Sequence, residues 1–334
     1  MRIVTYNVNG IRAAMRRGFR DWLDGCGADV VALQEVRCRV ADLPPDAFGD
    51  YHVVYNPGQL AGRNGVAILS RLPVATVFTW ADAALVTPVD QDAAPLLFGG
   101  PRLDVIEPTG DGNPFATEGR LVGVELAEAP LDIVCVYVPK GGVPIEVAPK
   151  DGGREGYTPQ QQQARYERKV AFLERFAAEI DAWHAAAEAR GRHLLVLGDY
   201  NIAHGPADLK NWRGNLDHEG FLPAERAWLD VVAGQASSSS QLIGKKILAP
   251  SVEWTPPKRP LVDVVRALHP DVEGPYSWWS RMGQAYANDV GWRIDYHLAS
   301  PGLAAKAAKA WVDRAPDADS RVSDHAPVVV DYDL

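Results

Sequence analysis

The chain has 334 residues, 47% of them hydrophobic and 23% charged, which excludes a disordered, fibrous or membrane-spanning polypeptide and allows a large buried core. Its 34 basic and 43 acidic side chains leave a formal charge of −9, at first sight the wrong sign for a polyanionic partner such as DNA or an anionic membrane. Cys26, Cys38 and Cys135 show no C-x-x-C spacing, so neither a disulfide framework nor a thiolate zinc site is encoded.

The opening MRIVTYNVNG has neither the charged nor the apolar region of a secretory signal, and no apolar run reaches the roughly 18 residues of a membrane span; a cytoplasmic protein is expected. Short β-branched runs that end on polar clusters predict strands over 2–10, 29–36, 51–56 and 65–70, with a helix over 12–25 between the first two. Residues 81–118, rich in Pro, Gly and Asp, read as a loop insertion. Strands follow over 120–126 and 131–139, then a loop-like stretch over 140–158. Tyr166, Val170, Leu173, Phe176, Ile180 and Trp183 recur at spacings of three and four, which predicts one amphipathic helix over 159–190. Pro159 near its start and Gly191 just past its end fit the usual asymmetry of helix termini. A strand over 193–201, a helix over 223–233, a loop with SSSS and PPKRP over 234–260, and strands over 291–300 and 325–332 complete the chain.

Many strands with few interleaved helices do not alternate as in a dinucleotide-binding fold, and no G-x-G-x-x-G or G-x-x-x-x-G-K-[ST] follows a strand. The pattern suits an α/β sandwich: two packed sheets flanked by helices, with functional groups on the polar strand ends. A single domain over 1–334 is expected, with 81–118, 140–158 and 234–260 as surface loops, because the strands on either side of each are needed for one core.

Acid, amide or imidazole groups stand where strands run out: Asn7, Glu35, Asp199 with Asn201, Asp295, and Asp324 with His325. Taken singly, such residues mostly make turns and caps. Together, hard oxygen donors such as Asn7, Glu35 and Asp324, with no thiolate nearby, suit Mg²⁺ or Mn²⁺ and point to phosphoester chemistry. Trp278 and Trp279 would alternate to opposite faces of a strand, so Trp279 is expected in the core. His204 is expected to make a structural hydrogen bond and His184 to lie on the surface; His52, His193, His218, His269 and His297 lack metal-ligand spacing and are left out of the site.

The segments TYNVNGIR, ALQEVR, VYVPKG, LGDYNIAH followed by DLKNW, GWRIDYHLAS and SDHAPV occur in one order between residue 2 and about residue 330. In these motifs the chain resembles the exonuclease III family of abasic-site endonucleases, within the endonuclease/exonuclease/phosphatase superfamily. The resemblance implies a four-layered α/β sandwich with its active site at one end, between the strand tips of two mixed sheets. It implies Glu35 as principal ligand of Mg²⁺, with Mn²⁺ able to substitute, and Asn7 and Asp324 beside it; Asp199 and Asn201 are further possible ligands. Asp199 would orient or deprotonate the attacking water, Asn201 would donate to that water or to the phosphate, and Tyr137 would reach the same phosphate. His325 would contact the phosphate while Asp295 holds its imidazole. Trp278 and Trp292 match the pocket for an extrahelical abasic sugar, and Arg281 and Met282 its border. Asn9, Arg12, Lys140, Asn211 and Asn215 are implied as further DNA contacts.

The implied function is a Mg²⁺-dependent monomeric repair nuclease that cuts duplex DNA 5′ to abasic sites and trims blocked 3′ ends, with 3′→5′ exonuclease and 3′-phosphatase or phosphodiesterase activity. The alternatives are a superfamily phosphoesterase acting on a lipid or another phosphoester, and a DNA-binding relative that has lost catalysis. The long segments from DLKNW to FLPAER and from WW to GWRIDY speak against the first, and retention of Glu35, Asp199 and His325 against the second. Three departures stand out. Asn9 resembles the bacterial exonuclease III branch. Lys140 stands where relatives usually place Asn or Gln, and Leu216 and Asp217 stand where some carry lysines, so one phosphate contact is expected to be missing.

The negative charge is unevenly spread. Residues 81–118 hold seven acids and one base, 313–334 six acids and two bases, whereas the first 20 residues contain five arginines and no acid. Residues 241–270 carry five bases against two acids. Such polarity is compatible with a DNA partner, overall acidity suppressing non-specific adhesion. Removing residues 84–115 is expected to strengthen duplex binding in a salt titration; unchanged affinity would mean that the acidic segment faces away from DNA.

Overall fold

The computed structural model describes residues 1–60, 62–80, 85–87, 96–97, 113–150, 156–234, 242, 244, 246–247 and 252–334, with the backbone alone for 85–87 and 96–97. One sheet runs in the spatial order Ala307–Val312 (β15), Val328–Tyr332 (β16), Arg2–Asn7 (β1), Val30–Gln34 (β2), Val66–Ser70 (β4), His52–Asn56 (β3), Leu85–Thr87 (β6) and Leu96–Leu97 (β7). The other runs Val262–Asp263 (β11), Asp295–Ala299 (β14), His193–Asp199 (β10), Leu131–Tyr137 (β9), Leu121–Leu126 (β8) and Val74–Thr79 (β5). Trp278–Trp279 (β12) and Gly291–Trp292 (β13) form a separate antiparallel pair. The helices are Ile11–Met15 (α1), Phe19–Gly25 (α2), Pro159–Ala189 (α3), Pro223–Val232 (α4), Val264–Leu268 (α5) and Pro301–Ala304 (α6).

Apolar side chains alternate along these strands to serve two cores each. Ile3, Val30, Ile68, Val124, Ile133 and Leu197 fill the space between the sheets. Val4, Val31 and Leu69 point the other way, onto Phe19 and Leu23 of α2. On the far side of the second sheet, Val134, Val196 and Leu298 pack on Phe172, Phe176 and Ile180 of α3 and on Trp228 of α4. The result is four layers: helices, mixed sheet, mixed sheet, helices, as the sequence pattern predicts.

Both sheets contain one parallel pair that positions the site. In β1–β2, Asn7 is paired with Gln34, so Asn7 and Glu35 leave the same edge. In β9–β10, Tyr137 is paired with Asp199, and antiparallel β14 brings Asp295 opposite Asp199. Close approach is enforced at Gly198, where a Cβ would lie 1.9 Å from the Val136 carbonyl oxygen.

The long helix keeps nearly its predicted span. Thr158 and Gln161 form a capping box, Pro159 sits in the first turn, and Gly191 follows the C-terminus with φ 67°. Elsewhere the expectations need correction. The helix expected over 12–25 is two helices, because Gly18 adopts φ 88° between them. The strand expected over 291–300 splits: Gly291–Trp292 pairs with Trp278–Trp279, and the chain rejoins the large sheet only at Asp295. The last strand starts at Val328, just after Pro327, which has no N–H to give a ladder. Three further strands, β5, β11 and β15, lie at sheet edges and were not expected; β5 and β15 are mostly half-exposed, with Thr76 and Lys309 interrupting their apolar residues, and β11 is two residues long.

Inside 81–118, expected to be loop, β6 and β7 extend the first sheet; most of that acidic segment lies outside the described residues. The stretch 140–158 is no mere surface feature, since Val143, Val147 and Ala148 are buried against Tyr166 and Leu222. His184 is also buried rather than on the surface, its Nδ1 lying 3.0 Å from the Arg259 carbonyl. Trp279 is in the core as expected, 1% exposed.

Gly198→Ala should destabilise the protein by more than about 1 kcal/mol, because its φ of 148° and the Val136 carbonyl both exclude a Cβ. Urea unfolding measures this, and a midpoint equal to that of the parent would refute it.

Candidate active site

The strand ends of the two sheets open into one pocket of ≈ 1170 Å³. Asn9, Glu35 and Asp324 line it from the first sheet, Tyr137, Asp199 and Asn201 from the second, with His325, Trp278 and Trp292 closing one side.

Asn7 lies just beneath and is fully buried. Its Nδ2 donates to Glu35 Oε1 at 3.0 Å and to Asp199 Oδ2 at 2.8 Å, so a single amide bridges carboxylates of the two sheets. Its Oδ1 accepts from the Asn9 N–H at 3.0 Å, and Asn9 Nδ2 donates to Asp324 Oδ1 at 2.7 Å. Three expected site acids are thereby joined through two asparagines. Asn7 was expected as a metal ligand; here its NH₂ faces the carboxylates, and ligation through Oδ1 requires the amide to turn.

Glu35 Oε2 is buried without a hydrogen-bond partner, although the Arg37 guanidinium forms an ion pair with it. Asp324 is fixed from both sides, by Asn9 and by Trp278 Nε1 at 3.3 Å from Oδ2. Burial works against its charge, but His325, the Asn9 hydrogen bond and Arg281 hold its carboxyl below the usual range. A buried carboxylate beside further oxygen donors and no sulfur fits a hard divalent cation. Asp199, Asp295 and His325 also bring one donor atom each within 4.8 Å of one another. Within that group Asp295 Oδ2 holds His325 Nδ1 at 2.9 Å and Asp199 Oδ1 accepts the Asn201 N–H at 2.8 Å, while Asp295 Oδ1 is buried without a hydrogen-bond partner.

The electrostatics separate acid from base. Burial disfavours charge on His325, but Asp295 and then Asp199 outweigh it and push the imidazole up to about 10. Its Nε2 stands 3.8 Å from Asp199 Oδ2. Burial raises Asp199 to about 7, the His325 charge opposing and the Asp295 and Glu35 charges adding to the rise. Tyr137 is raised by burial, then by Glu35 and Asp199, and stays a neutral donor. The pocket therefore holds a cationic imidazole and a carboxylate basic enough to take a proton near neutrality.

Trp278 and Trp292 face one another edge to face, with ring centroids 6.2 Å apart. Residues 324–325 dock on the same hairpin: Trp278 bridges to His325, and the Trp279 N–H donates to the Asp324 carbonyl. Lys140 pairs with Glu219 at 3.8 Å, and Asn215 is held by its Nδ2 bond to the Asn211 carbonyl at 2.9 Å, beside Leu216, which packs with both tryptophans. Arg12, Asn211, Arg281 and Met282 do not line the pocket; all four are exposed, Met282 at 64%.

Several lining residues were not anticipated. Arg37 stands two residues after Glu35, at the end of the ALQEVR motif, and Arg213 directly follows the DLKNW motif. His218 lines the pocket despite having been left out for lack of metal-ligand spacing. Lys246 comes from the 234–260 stretch, where only the basic balance of residues 241–270 pointed to it. Asp217 accepts from the N–H groups of Lys246 and Ile247 at 3.1–3.4 Å and so ties these two residues to the rim. His204, as expected, is structural, its Nε2 2.7 Å from Asp230 Oδ1.

The family model for the endonuclease/exonuclease/phosphatase family matches residues 4–325. A Bacillus subtilis protein named exodeoxyribonuclease is 28% identical over 331 residues, 98% of either chain. The zebrafish DNA repair nuclease APEX1 is 25% identical over 91% of this chain and 74% of its own. Among solved structures, an AP endonuclease from Archaeoglobus fulgidus superimposes with a TM-score of 0.66 at 25% identity, over the full length of both chains. The 3′-5′ exonuclease NExo from Neisseria meningitidis gives the same TM-score at 22% identity, a likeness of fold. With the family match spanning nearly the whole chain and the motif residues gathered in one pocket, the chain belongs to the endonuclease/exonuclease/phosphatase family and is one of its exonuclease III-like phosphoester hydrolases.

Proposed function

We propose that this chain is a Mg²⁺-dependent DNA-repair nuclease. It hydrolyses the phosphodiester 5′ to an abasic site in duplex DNA, with 3′→5′ exonuclease and 3′-phosphatase or phosphodiesterase activity at the same site. The observation that carries the reading is the convergence of Glu35, Asp199, Asn201, Asp324 and His325 in one pocket beside the Trp278–Trp292 hairpin. Relatives named exodeoxyribonuclease and DNA repair nuclease support a DNA substrate. The chain acts as a monomer built on one domain, in the cytoplasm. Among the described residues no helix is long and apolar enough to cross a membrane.

Glu35 and Asp324 would hold the Mg²⁺, joined by Asn7 if its amide turns. When bound, the ion supplies positive charge to the phosphate oxygens. Asp199 takes the proton of the attacking water, for which its raised basicity suits it. Its orientation is fixed by the Asn7 amide and the Asn201 N–H. The His325 imidazolium donates from Nε2 to the phosphate, and Tyr137 donates its phenolic proton, so charge developing on the phosphoryl oxygens meets preorganised donors. Water oxygen bonds to phosphorus as the bond to the 3′ oxygen breaks; the departing 3′ oxygen takes a proton from solvent and Asp199 returns its own to solvent, leaving a 3′-hydroxyl and a 5′-deoxyribose phosphate. Trp278 and Trp292 receive the extrahelical sugar, which has no base stacking to lose when it leaves the helix.

A labelled duplex carrying one tetrahydrofuran abasic analogue should be cut 5′ to the analogue with Mg²⁺ and left intact with EDTA. Glu35→Ala and Asp199→Asn should each lower the rate by at least about a hundredfold. Intact duplex with Mg²⁺ and excess enzyme would sink the nuclease reading, whereas undiminished cutting by either variant would sink the residue assignment.

The Asp295–His325 pair gives a separate check. Asp295→Asn removes the nearest anion stabilising the imidazolium, so the His325 titration should move downward, by about 1–3 pH units. NMR titration of the histidine ring protons in metal-free protein reads this directly, and an unmoved titration would show that Asp295 does not set the charge on His325.

A further inference from the structure

Lys169 lies on the core-facing side of α3, three residues after Tyr166 and four before Leu173, and is 0% exposed. A buried ammonium is costly unless oxygens replace its water. Three do so. Nζ donates to the Asn201 carbonyl at 2.8 Å and to the Lys140 carbonyl at 3.2 Å, and pairs with Glu225 Oε1 at 2.6 Å. Glu225 on α4 is itself buried, and its Oε2 accepts the Leu222 N–H at 2.9 Å.

Two of these oxygens belong to the exits of the strands that build the site. Lys140 follows β9 and Asn201 follows β10, each within three residues of the strand end. Asn201 has φ 51°, a conformation that a non-glycine residue holds only where its surroundings over-determine it. Its side chain is tied to the Val138 carbonyl and to Asp199, and its carbonyl to Lys169. The segment after Lys140 leaves no slack above the helix. A Cβ at Gly141 would lie 2.6 Å from Lys169 Cδ, and one at Gly142 2.4 Å from the Gln162 carbonyl oxygen.

We propose that Lys169, charge-balanced by Glu225, is a positioning residue for phosphodiester hydrolysis: its ammonium locks both strand exits together so that the Asn201 side chain keeps the geometry the reaction needs. Well-packed neutral side chains are often at least as stabilising as a buried ion pair. Stability alone therefore does not call for a charge here, whereas orientation of two carbonyls by one multivalent donor does. The inference rests on the proposed role of Asn201 beside Asp199.

The test compares Lys169→Met/Glu225→Gln, which leaves no orphaned charge, with Asn201→Ala and with the triple variant. Each is assayed by single-turnover cutting of the tetrahydrofuran duplex with Mg²⁺, by duplex affinity and by thermal melting. The neutral pair should melt within a few degrees of the parent and bind duplex within about threefold, yet cut at least about tenfold more slowly. On an Asn201→Ala background the same pair should cost less than about threefold, because the positioned group is already gone.

A neutral pair that cuts at the parental rate, or a full tenfold loss repeated on the Asn201→Ala background, overturns the proposal. So does a loss of rate that merely follows lost melting temperature and affinity. Asn201→Ala cutting at the parental rate refutes the role of Asn201 instead, and is told apart because it precedes any change at Lys169.

Discussion

The hydrogen bonds from the Asn7 amide to Glu35 and Asp199 are the constraint on which the site depends. Glu35 belongs to one sheet and Asp199 to the other, and the apolar layer of Ile3, Ile133 and Leu197 fixes the distance between them. A two-sheet core of this kind is packed to crystal-like density and deforms little. The strand tips therefore present their polar groups at a set separation, which a single amide can span. The same geometry crowds negative charge. Glu35, Asp199, Asp295 and Asp324 meet around one imidazole and one guanidinium, those of His325 and Arg37. Raised basicity at Asp199 and a persistent positive charge on His325 are two consequences of that one crowding.

Backbone conformation carries part of the cost of the site. Seven non-glycine residues among those described have positive φ, and four of them, Asn9, Glu35, Arg37 and Asn201, line the pocket. Each stands one to three residues past the end of β1, β2 or β10, where the ladder stops dictating φ and ψ. Strain of this sort survives only where neighbouring bonds hold it. Asn9 is held by Asn7 and Asp324, and Asn201 by Asp199, Val138 and the buried Lys169. Helix α3 thus does more than cover a sheet: one side chain on its buried face reaches through to the active-site rim.

Legibility in the sequence followed burial. Central strands such as Val30–Gln34 and Leu131–Tyr137 are buried on both faces and declare themselves as continuous runs, whereas the edge strands Val74–Thr79 and Ala307–Val312 are half-exposed and their apolar residues are interrupted at Thr76 and Lys309. The site acids were readable because they end recognisable strands and recur in ordered motifs. Residues that reach the pocket from its supporting structure were not. Lys169 occupies an apolar-stripe position of α3, and that position is itself a signal: a lysine in register with Tyr166 and Leu173 must find oxygens inside the protein. Lys246 arrives from a loop whose course depends on Asp217, a long-range contact with no local pattern to read.

Asp217 also bears on how an acidic chain meets a phosphate polymer. A lysine at that position would add mobile charge to the rim. The aspartate instead organises the turn through Gly244 and Ile247 and brings Lys246 to the pocket in its place. Two other cations of the pocket are paired with carboxylates, Lys140 with Glu219 and Arg37 with Glu35. A cation paired with a carboxylate exerts a weak field at distance and a strong one only on a group that reaches it. For the proposed DNA substrate this would favour contacts made inside the pocket, at the Trp278–Trp292 hairpin and the His325 imidazolium, over long-range attraction. On this argument the net charge of −9 is not an obstacle to a nucleic-acid substrate; it shifts the balance from tracking any phosphate toward holding one that enters the site.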